Sequence, residues 1–166
     1  MKPKINRGKQ KGYDVNGPHD SCQTPPYALE PIYQYIDTDA VWECAAGKGV
    51  LARQLKKAGI GTIATDINLS KGVMYHDFMS GGGISLFAAS LPSPCSYTIV
   101  TNPPYSIKYE WLEKCYELGK PFALLMPVEM LGTARGQKLF DKPGIEVIFM
   151  SPRVDFLMPL ALWAGG

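Results

Sequence analysis

The stretch AVWECAAGKGVLARQLKKAGIGTIATDI (residues 40–67) contains the pattern that decides the fold. Residues 40–45 form a short, largely apolar run, which predicts a strand. A glycine-rich turn follows, and then a segment with apolar residues on one helical face that stops at Gly59. Residues 60–67 predict a second buried strand. A strand, a helix and a strand in this order are typical of parallel α/β proteins.

The same alternation continues along the chain. Further strands are predicted at 72–78, 96–100, 121–127 and 145–150, and further helices at 84–90, 106–119 and 129–140. Upstream, residues 23–36 have helical spacing, with Thr24 as a plausible N-cap and Pro25 at the first helical position. We therefore predict one domain, residues 21–166, built on a doubly wound, mostly parallel sheet.

Composition and cysteine spacing limit the class of protein. The chain has 166 residues, of which 46% are hydrophobic and 19% charged, as expected for a globular domain. No apolar run is long enough to span a bilayer, and the N-terminal MKPKINRGKQ has no signal-like apolar core. Four widely spaced cysteines and two histidines make a zinc site improbable. We expect reduced thiols, a cytoplasmic location and no membrane partner.

The net charge of +2 conceals an asymmetry between the two parts of the chain. Five basic residues precede the first acid, Asp14, whereas the rest of the chain has 12 basic and 15 acidic residues. Residues 1–20 are therefore predicted to be a basic, flexible arm. Such an arm can contact nucleic-acid phosphates, or it can be a solvated tail.

A ligand site is predicted after the first strand, in ECAAGKG (residues 43–49). Gly47 and Gly49 allow a tight turn and a close approach of the backbone to a ligand. Asp66 follows Gly47 by 19 residues, at the end of the second strand, where an acid typically binds ribose hydroxyls. The third glycine of a dinucleotide fingerprint is missing, so this loop is poorly suited to bind the pyrophosphate of NAD. A ligand with ribose and adenine but no pyrophosphate fits better.

Two residues at the end of the third strand fit an adenine ring. Asp77 offers a carboxylate for the amino edge, and Phe78 offers an aromatic plane, although ordinary core packing would also explain Phe78.

The sequence TNPPYS (residues 101–106) follows the fourth strand directly. The side-chain carbonyl of Asn102 and the backbone carbonyl of Pro103 can accept both hydrogens of an exocyclic amine, which directs the nitrogen lone pair towards an electrophile. The prolines hold these acceptors rigidly, and Tyr105 supplies a ring on which a planar base can stack. A strand-ending turn is the alternative interpretation.

With this motif the chain resembles the S-adenosylmethionine-dependent amino-methyltransferases, in particular small phage-type DNA adenine N6-methyltransferases. The resemblance covers roughly residues 21–156. It implies a Rossmann-like class I methyltransferase fold, methyl transfer to adenine N6 in DNA, and the cytoplasm of a bacterium or a phage-infected host. It also implies that S-adenosylmethionine is the cofactor and that no metal is needed.

The resemblance also implies roles for individual residues. Asn102, Pro103, Pro104 and Tyr105 would be catalytic, and the cofactor would be bound by Thr24, Tyr27, Glu43, Ala45, Gly47, Gly49, Asp66, Ile67, Asp77, Phe78 and Asn102. DNA would contact the basic arm and the loops after strands four to six, where Arg135 and Arg153 are candidates for phosphate contacts. Cys44 and Lys48, in the cofactor loop, are assigned no chemistry.

The chain departs from this family in two respects. Only about two dozen residues separate Phe78 from Asn102, so we expect no separate target-recognition domain. Sequence specificity is then either loose or supplied by the basic arm and the loops after strands five and six. The C-terminal PRVDFLMPLALWAGG ends where a seventh, antiparallel strand is expected, so that strand is short or missing. Three alternatives stay open: methylation of guanine in RNA, methylation of protein glutamine, and a catalytically silent protein that binds or depletes S-adenosylmethionine.

Overall fold

The protein has a five-stranded sheet in which every strand pairing is parallel. The computed structural model describes residues 22–80, 96–141 and 143–156. The strands are β1 (Ala40–Glu43), β2 (Gly61–Asp66), β3 (Met74–Tyr75), β4 (Tyr97–Thr101) and β5 (Phe122–Leu124). They lie in the order β3-β2-β1-β4-β5. The predicted parallel α/β architecture is confirmed, and the strand order is consistent with a Rossmann-like fold.

The described residues also form three α-helices and several short 3₁₀ helices. The α-helices are α1 (Val50–Lys57), α2 (Lys108–Leu118) and α3 (Ala134–Phe140). The 3₁₀ helices are Pro26–Tyr35, Phe78–Ser80, Tyr105–Ile107 and Val128–Gly132. α1 connects β1 to β2 and α2 connects β4 to β5, as parallel strands require.

A helix covers each face of the sheet. Neighbouring residues of a strand point to opposite sides of the sheet, so each strand offers apolar side chains to both faces. On one face Leu51 and Leu55 of α1 pack with Val41, and on the other Trp111 of α2 packs with Trp42. These five side chains are all buried. Burial of each large aliphatic side chain contributes roughly 1.5–3 kcal/mol. With both faces covered, the strands can be apolar throughout, as the sequence pattern predicts.

The strand order reverses between β1 and β4. The connection after β1 leads to one side of the sheet and the connection after β4 to the other, so the chain leaves a crevice at the carboxyl ends of these strands. The glycine-rich turn follows β1 and the Asn-Pro-Pro-Tyr segment follows β4. The fold therefore brings the two motifs to the same edge of the sheet.

The predicted first helix differs from the observed one. Pro26–Tyr35 is a 3₁₀ helix, and Pro25 occupies the N-cap position without a side-chain cap. Thr24 is buried one residue earlier, so the prediction that it caps this helix is wrong. Pro31 lies inside the segment and lacks the N–H that an α-helical i to i−4 bond requires.

Three other predicted elements are shorter or interrupted. The third strand extends over only Met74–Tyr75 instead of 72–78, and the fifth over only Phe122–Leu124 instead of 121–127. The predicted helix 129–140 is divided at Thr133, which ends one helical segment and caps the next. The Thr133 hydroxyl accepts a hydrogen bond of 3.0 Å from the backbone N–H of Gly136, and a side chain at Gly136 would collide with the carbonyl of Met130.

The prediction of a sixth strand at 145–150 is wrong. This segment has no strand pairing among the described residues, and its apolar side chains Ile145, Val147, Ile148 and Phe149 are exposed. A strand is defined by its pairing, and no described segment forms a ladder of backbone hydrogen bonds with it. The basic arm at 1–20, the helix at 84–90 and the seventh strand around LALW lie outside the described residues. No helix in the described parts of the chain is long and apolar enough to cross a membrane.

Candidate functional site

A cleft of about 930 Å³ lies at the carboxyl ends of β1, β2 and β4. Most of the residues predicted as a site line it together: Thr24, Glu43, Ala45, Gly47, Asp66, Ile67, Asp77, Phe78, Asn102, Pro103, Pro104 and Tyr105. These residues come from five separate parts of the chain. The fold therefore brings the predicted cofactor residues and the predicted catalytic residues into one cavity.

Asp66 fixes the glycine-rich loop against the end of β2. One of its carboxylate oxygens accepts a hydrogen bond of 2.8 Å from the backbone N–H of Gly47, and the other accepts one of 2.8 Å from Asn68. Gly47 has φ +51°, a left-handed conformation that glycine adopts without strain. Each carboxylate oxygen has a further lone pair, so Asp66 can still accept a bond from a ligand in the cleft.

Gln23 contributes to the same loop, although no local sequence pattern predicts it as a site residue. Its Oε1 accepts a hydrogen bond of 3.0 Å from the backbone N–H of Lys48. A Cβ at Gly47 would lie 2.8 Å from the Gln23 amide nitrogen, so the side chain of Gln23 covers the space that glycine leaves. Only the position of Gln23 beside Thr24 could have drawn attention to it.

Glu43 is a buried carboxyl group at the inner end of the cleft. Its Oε1 accepts a hydrogen bond of 2.7 Å from the Thr101 hydroxyl, while Oε2 has no partner among the described residues. Burial, with a smaller contribution from the negative charge of Asp66, raises the pKa of Glu43 to about 8. The cleft therefore contains a carboxyl group that is mostly protonated at neutral pH, and a cation bound beside it would favour its ionised form.

Phe78 and Asp77 have structural roles as well as cleft-facing positions. Phe78 is buried and stacks on Trp111, with the ring centroids 4.4 Å apart and the planes 15° apart, and it also contacts Trp42. Core packing thus occupies much of its ring. Asp77 Oδ1 accepts a hydrogen bond of 2.9 Å from Met79, which fixes the short turn after β3.

The Asn-Pro-Pro-Tyr segment presents a buried acceptor to the cleft. Asn102 directly follows β4, and its Oδ1 is buried without a hydrogen-bond partner among the described residues. Pro103 is fully buried, and Pro104 precedes the 3₁₀ helix Tyr105–Ile107 in an extended conformation. The two prolines thus anchor Asn102 to the core on one side and to a helical turn on the other.

Tyr105 forms one wall of the cleft together with Phe156. The two rings meet edge to face, with centroids 6.4 Å apart. Burial, and to a smaller extent the nearby Glu129, raise the pKa of Tyr105 to about 12, so its hydroxyl stays protonated at neutral pH. Phe156 was not predicted as a site residue, because it lies far along the chain from the motif and has no local signature.

Two predicted cofactor residues do not line the cleft. Tyr27 lies elsewhere, and its hydroxyl accepts a hydrogen bond of 2.8 Å from the backbone N–H of Asp155. It therefore supports the segment that carries Phe156 instead of facing the methionine end of a cofactor. Gly49 is turned away from the cleft, at the N-cap of α1, with its free side towards Arg53 and Val73.

Of the two arginines predicted to contact phosphates, Arg153 lines the cleft and Arg135 is ion-paired elsewhere. Arg135 is ion-paired to Glu110 at 2.9 Å and to Glu113 at 3.6 Å, and it lies over the ring of Tyr109. These contacts connect α3 to α2 and explain Arg135 without a ligand. Arg153 is exposed and lines the cleft.

Two buried thiols, Cys44 and Cys115, are unsuited to nucleophilic chemistry. Cys44 lines the cleft, but burial raises the pKa of its thiol, and burial raises the pKa of Cys115 to about 12. Neither of the two forms a disulfide. Thiols in such apolar surroundings remain protonated and inert.

Comparison of the chain with protein-family models, with curated proteins and with solved structures found no match. The site is therefore interpreted from its own geometry.

Proposed function

We propose that the protein is a class I, S-adenosylmethionine-dependent methyltransferase that acts on an exocyclic amine, with adenine N6 in DNA as the acceptor. The observation that carries this proposal is the buried, unpartnered Oδ1 of Asn102 in the cleft. A buried acceptor without a partner costs about 1–3 kcal/mol. A ligand N–H in the cleft would recover that cost.

The residues of the cleft fit the proposed cofactor. S-adenosylmethionine has a sulfonium and an ammonium group, and four acidic residues line the cavity: Glu43, Asp66, Asp77 and Glu129. Oε2 of Glu43 is a second buried oxygen without a partner, and a cationic group bound beside it would favour the ionised form of this carboxyl. Gly47 would lie against the backbone of the cofactor, Asp66 would accept from its ribose, and Asp77 would accept from its adenine amine. When bound, the cofactor supplies an electrophilic methyl group.

The residues of the motif act on the acceptor amine. The Asn102 carbonyl and the Pro103 backbone carbonyl accept its two hydrogens, which directs the lone pair into the cleft. Tyr105 stacks on the base, and the prolines keep the acceptors in position before the substrate arrives. No general base is required, because the amine becomes more acidic as it is methylated and can then release a proton to water.

Two features support nucleic acid as the polymer that carries the amine. The sequence begins with a basic arm, and Arg153 and Lys108 lie at the cleft as exposed or half-buried cations. An aromatic wall formed by Tyr105 and Phe156 suits a planar base that has left its stack. Adenine is favoured through the resemblance of the motif, whereas the acceptor geometry by itself also suits guanine or glutamine.

The proposal is tested by methyl transfer from labelled S-adenosylmethionine to duplex DNA, single-stranded DNA, RNA and protein, offered in parallel. The labelled products are digested, and the modified nucleoside or amino acid is identified by mass. N6-methyladenine from DNA is the expected product. Methylated guanine or glutamine would keep the chemistry and replace the substrate.

Absence of transfer must be distinguished from absence of cofactor. Calorimetric titration of the protein with S-adenosylmethionine makes that distinction. Binding without transfer to any polymer would identify a silent binding protein, and absence of binding would refute the assignment of the cleft.

A further inference from the structure

A second concave surface lies behind the glycine-rich loop, on the opposite side from the cleft. It has a volume of about 510 Å³, and four cationic side chains line it: Lys48, Arg53, Lys56 and Lys71. We call this surface the basic groove. Its other lining residues are small, so the cations dominate its chemistry.

Hydrogen bonds fix the backbone that carries these cations. The Ser70 hydroxyl donates to the carbonyl of Gly47 at 2.6 Å, which joins the turn after β2 to the glycine-rich loop. Arg53 Nη1 donates to the carbonyl of Lys48 at 2.6 Å, which joins the loop to α1. Within the turn, Val73 N–H bonds to the Ser70 carbonyl at 3.0 Å. The cations are therefore held on one connected framework.

No carboxylate neutralises the basic groove within the described parts of the chain. Its lining contains no acidic residue, and none of the salt bridges found among the described residues involves its four cations. Asp66, which is bonded to the same loop, is buried, and its carboxylate accepts hydrogen bonds from Gly47 and Asn68. Four like charges without counterions repel one another, and a polyanion would remove that repulsion.

We propose that the basic groove binds the sugar-phosphate backbone of the nucleic acid whose base enters the cleft. Lys48 and Ser70 line both surfaces, so the groove and the cleft are continuous over the edge of the loop. The choice of polymer rests on the proposed function. This contact lies after β1 and β2, away from the loops that follow β4 and β5.

The spread of charge favours a polymer over a single phosphate. Arg53 and Lys56 lie three residues apart on α1, which corresponds to about 4.5 Å along the helix axis, and Lys48 and Lys71 come from two other segments. Successive phosphates of one strand in B-DNA are about 3.4 Å apart along the DNA axis. Four cations spread over three segments therefore suit neighbouring phosphates of one strand better than one isolated phosphate.

The test compares two double variants by fluorescence anisotropy with a short labelled DNA duplex and with its single strand. Lys56→Gln with Lys71→Gln removes two groove charges and leaves the cleft residues and the loop intact. Lys57→Gln with Lys138→Gln is the matched control, because these lysines are also exposed and Lys57 is the neighbour of Lys56 on α1 but lines neither surface. Each titration is repeated over a range of salt concentrations.

We expect the groove variant to bind duplex DNA about tenfold more weakly, with a salt dependence reduced by about one unit of slope for each lost phosphate contact. The control should bind within about twofold of the unaltered protein. Equal binding by both variants, or no binding of DNA by the unaltered protein, would refute the proposal. So would binding of phosphatidylserine vesicles that exceeds DNA binding and is lost in the groove variant.

Failure of the proposed function gives a different result. In that case the protein would not bind S-adenosylmethionine or would transfer no methyl group, while the groove variant would still lose DNA binding relative to its control. Normal cofactor binding and transfer, with equal DNA binding by the two variants, would refute the basic groove alone.

Discussion

The cleft and the basic groove meet at one glycine-rich loop and differ in chemistry, because the cleft carries both acids and cations whereas the groove carries only cations. The cleft is lined by Glu43, Asp66, Asp77 and Glu129, and two of its buried oxygens have no partner among the described residues. The groove contains four cations and no acid. Gly47 faces the cleft and Gly49 faces the groove, so a turn of three residues separates the two surfaces.

This contrast shows how burial changes the effect of a charge. The acids of the cleft are partly removed from water, so they can discriminate cationic and hydrogen-bonding ligands, at a cost to stability when unpaired. The cations of the groove are exposed, so each is hydrated and contributes mainly through the sum of several weak, salt-dependent contacts. We therefore expect single substitutions to have large effects in the cleft and small effects in the groove.

The largest expected effect is on the pH dependence of stability, through Glu43. An unfolded glutamate has a pKa of 4.5, and the folded value is about 8. Between these values the folded protein retains a proton that the unfolded chain has lost, so the free energy of unfolding falls as pH rises and is level outside this window. The total loss is at most roughly 5 kcal/mol, at about 1.4 kcal/mol for each pH unit.

Glu43→Gln should remove this dependence, because the amide cannot ionise. Urea denaturation of the cofactor-free protein at about pH 5 and about pH 9 measures the change. Glu30→Gln, at an exposed position, is the control and should behave like the unaltered protein. If Glu43→Gln loses as much stability as the control between the two pH values, Glu43 is not the group that titrates.

The next effect is on catalysis and is confined to the cleft. Asn102→Ala removes the acceptor that orients the amine, so kcat should fall about 100- to 1000-fold, as for loss of a preorganised polar group. Cofactor affinity and DNA affinity should change little, because the basic groove and the acidic lining are intact. Gln34→Ala removes an exposed amide outside the cleft and serves as the control. Transfer by Asn102→Ala at the unaltered rate would contradict the role of the motif.

A smaller effect, on stability and cofactor affinity, is expected from Asp66, which holds the glycine-rich loop between the cleft and the basic groove. Asp66→Ala leaves the N–H groups of Gly47 and Asn68 without their acceptor, so the free energy of unfolding should fall by about 2–3 kcal/mol. Cofactor affinity should fall as well, since the loop loses its attachment. Asp37→Ala, at an exposed position, is the comparison in both measurements. Unchanged cofactor affinity in Asp66→Ala would show that the loop is held by other contacts.

The smallest effect concerns the aromatic wall. Tyr105→Ala should reduce transfer about tenfold, because stacking of a base on an aromatic ring contributes about 1–3 kcal/mol. Tyr105→Phe keeps the ring and should stay within about threefold, since the hydroxyl is protonated and supplies no charge. Steady-state kinetics with a DNA acceptor measures both variants. An equal loss in the two would mean that the hydroxyl, and not the ring, contacts the substrate.

The site residues that could be predicted from local sequence patterns are those that directly follow or end a strand. The sequence predicted the parallel sheet because apolar runs separated by helical segments leave few other architectures. Asn102 to Tyr105 and Asp66 could be identified because ligands in such sheets bind at the carboxyl ends of strands. The strand predicted at 145–150 failed because its apolar run has no pairing partner among the described residues. An apolar run specifies a preference for burial but not the neighbour that provides it.

The sequence by itself determined the order of strands and helices and the motifs that follow β1, β2 and β4, because hydrophobic periodicity and turn chemistry are local. Only the tertiary structure decided which motifs share a cavity and which face each side chain takes. It moved Tyr27 and Gly49 out of the cleft, added Gln23 and Phe156 to it, and assembled the basic groove from α1 and a distant turn. Contacts between residues far apart in the chain depend on packing in three dimensions, which no local pattern encodes.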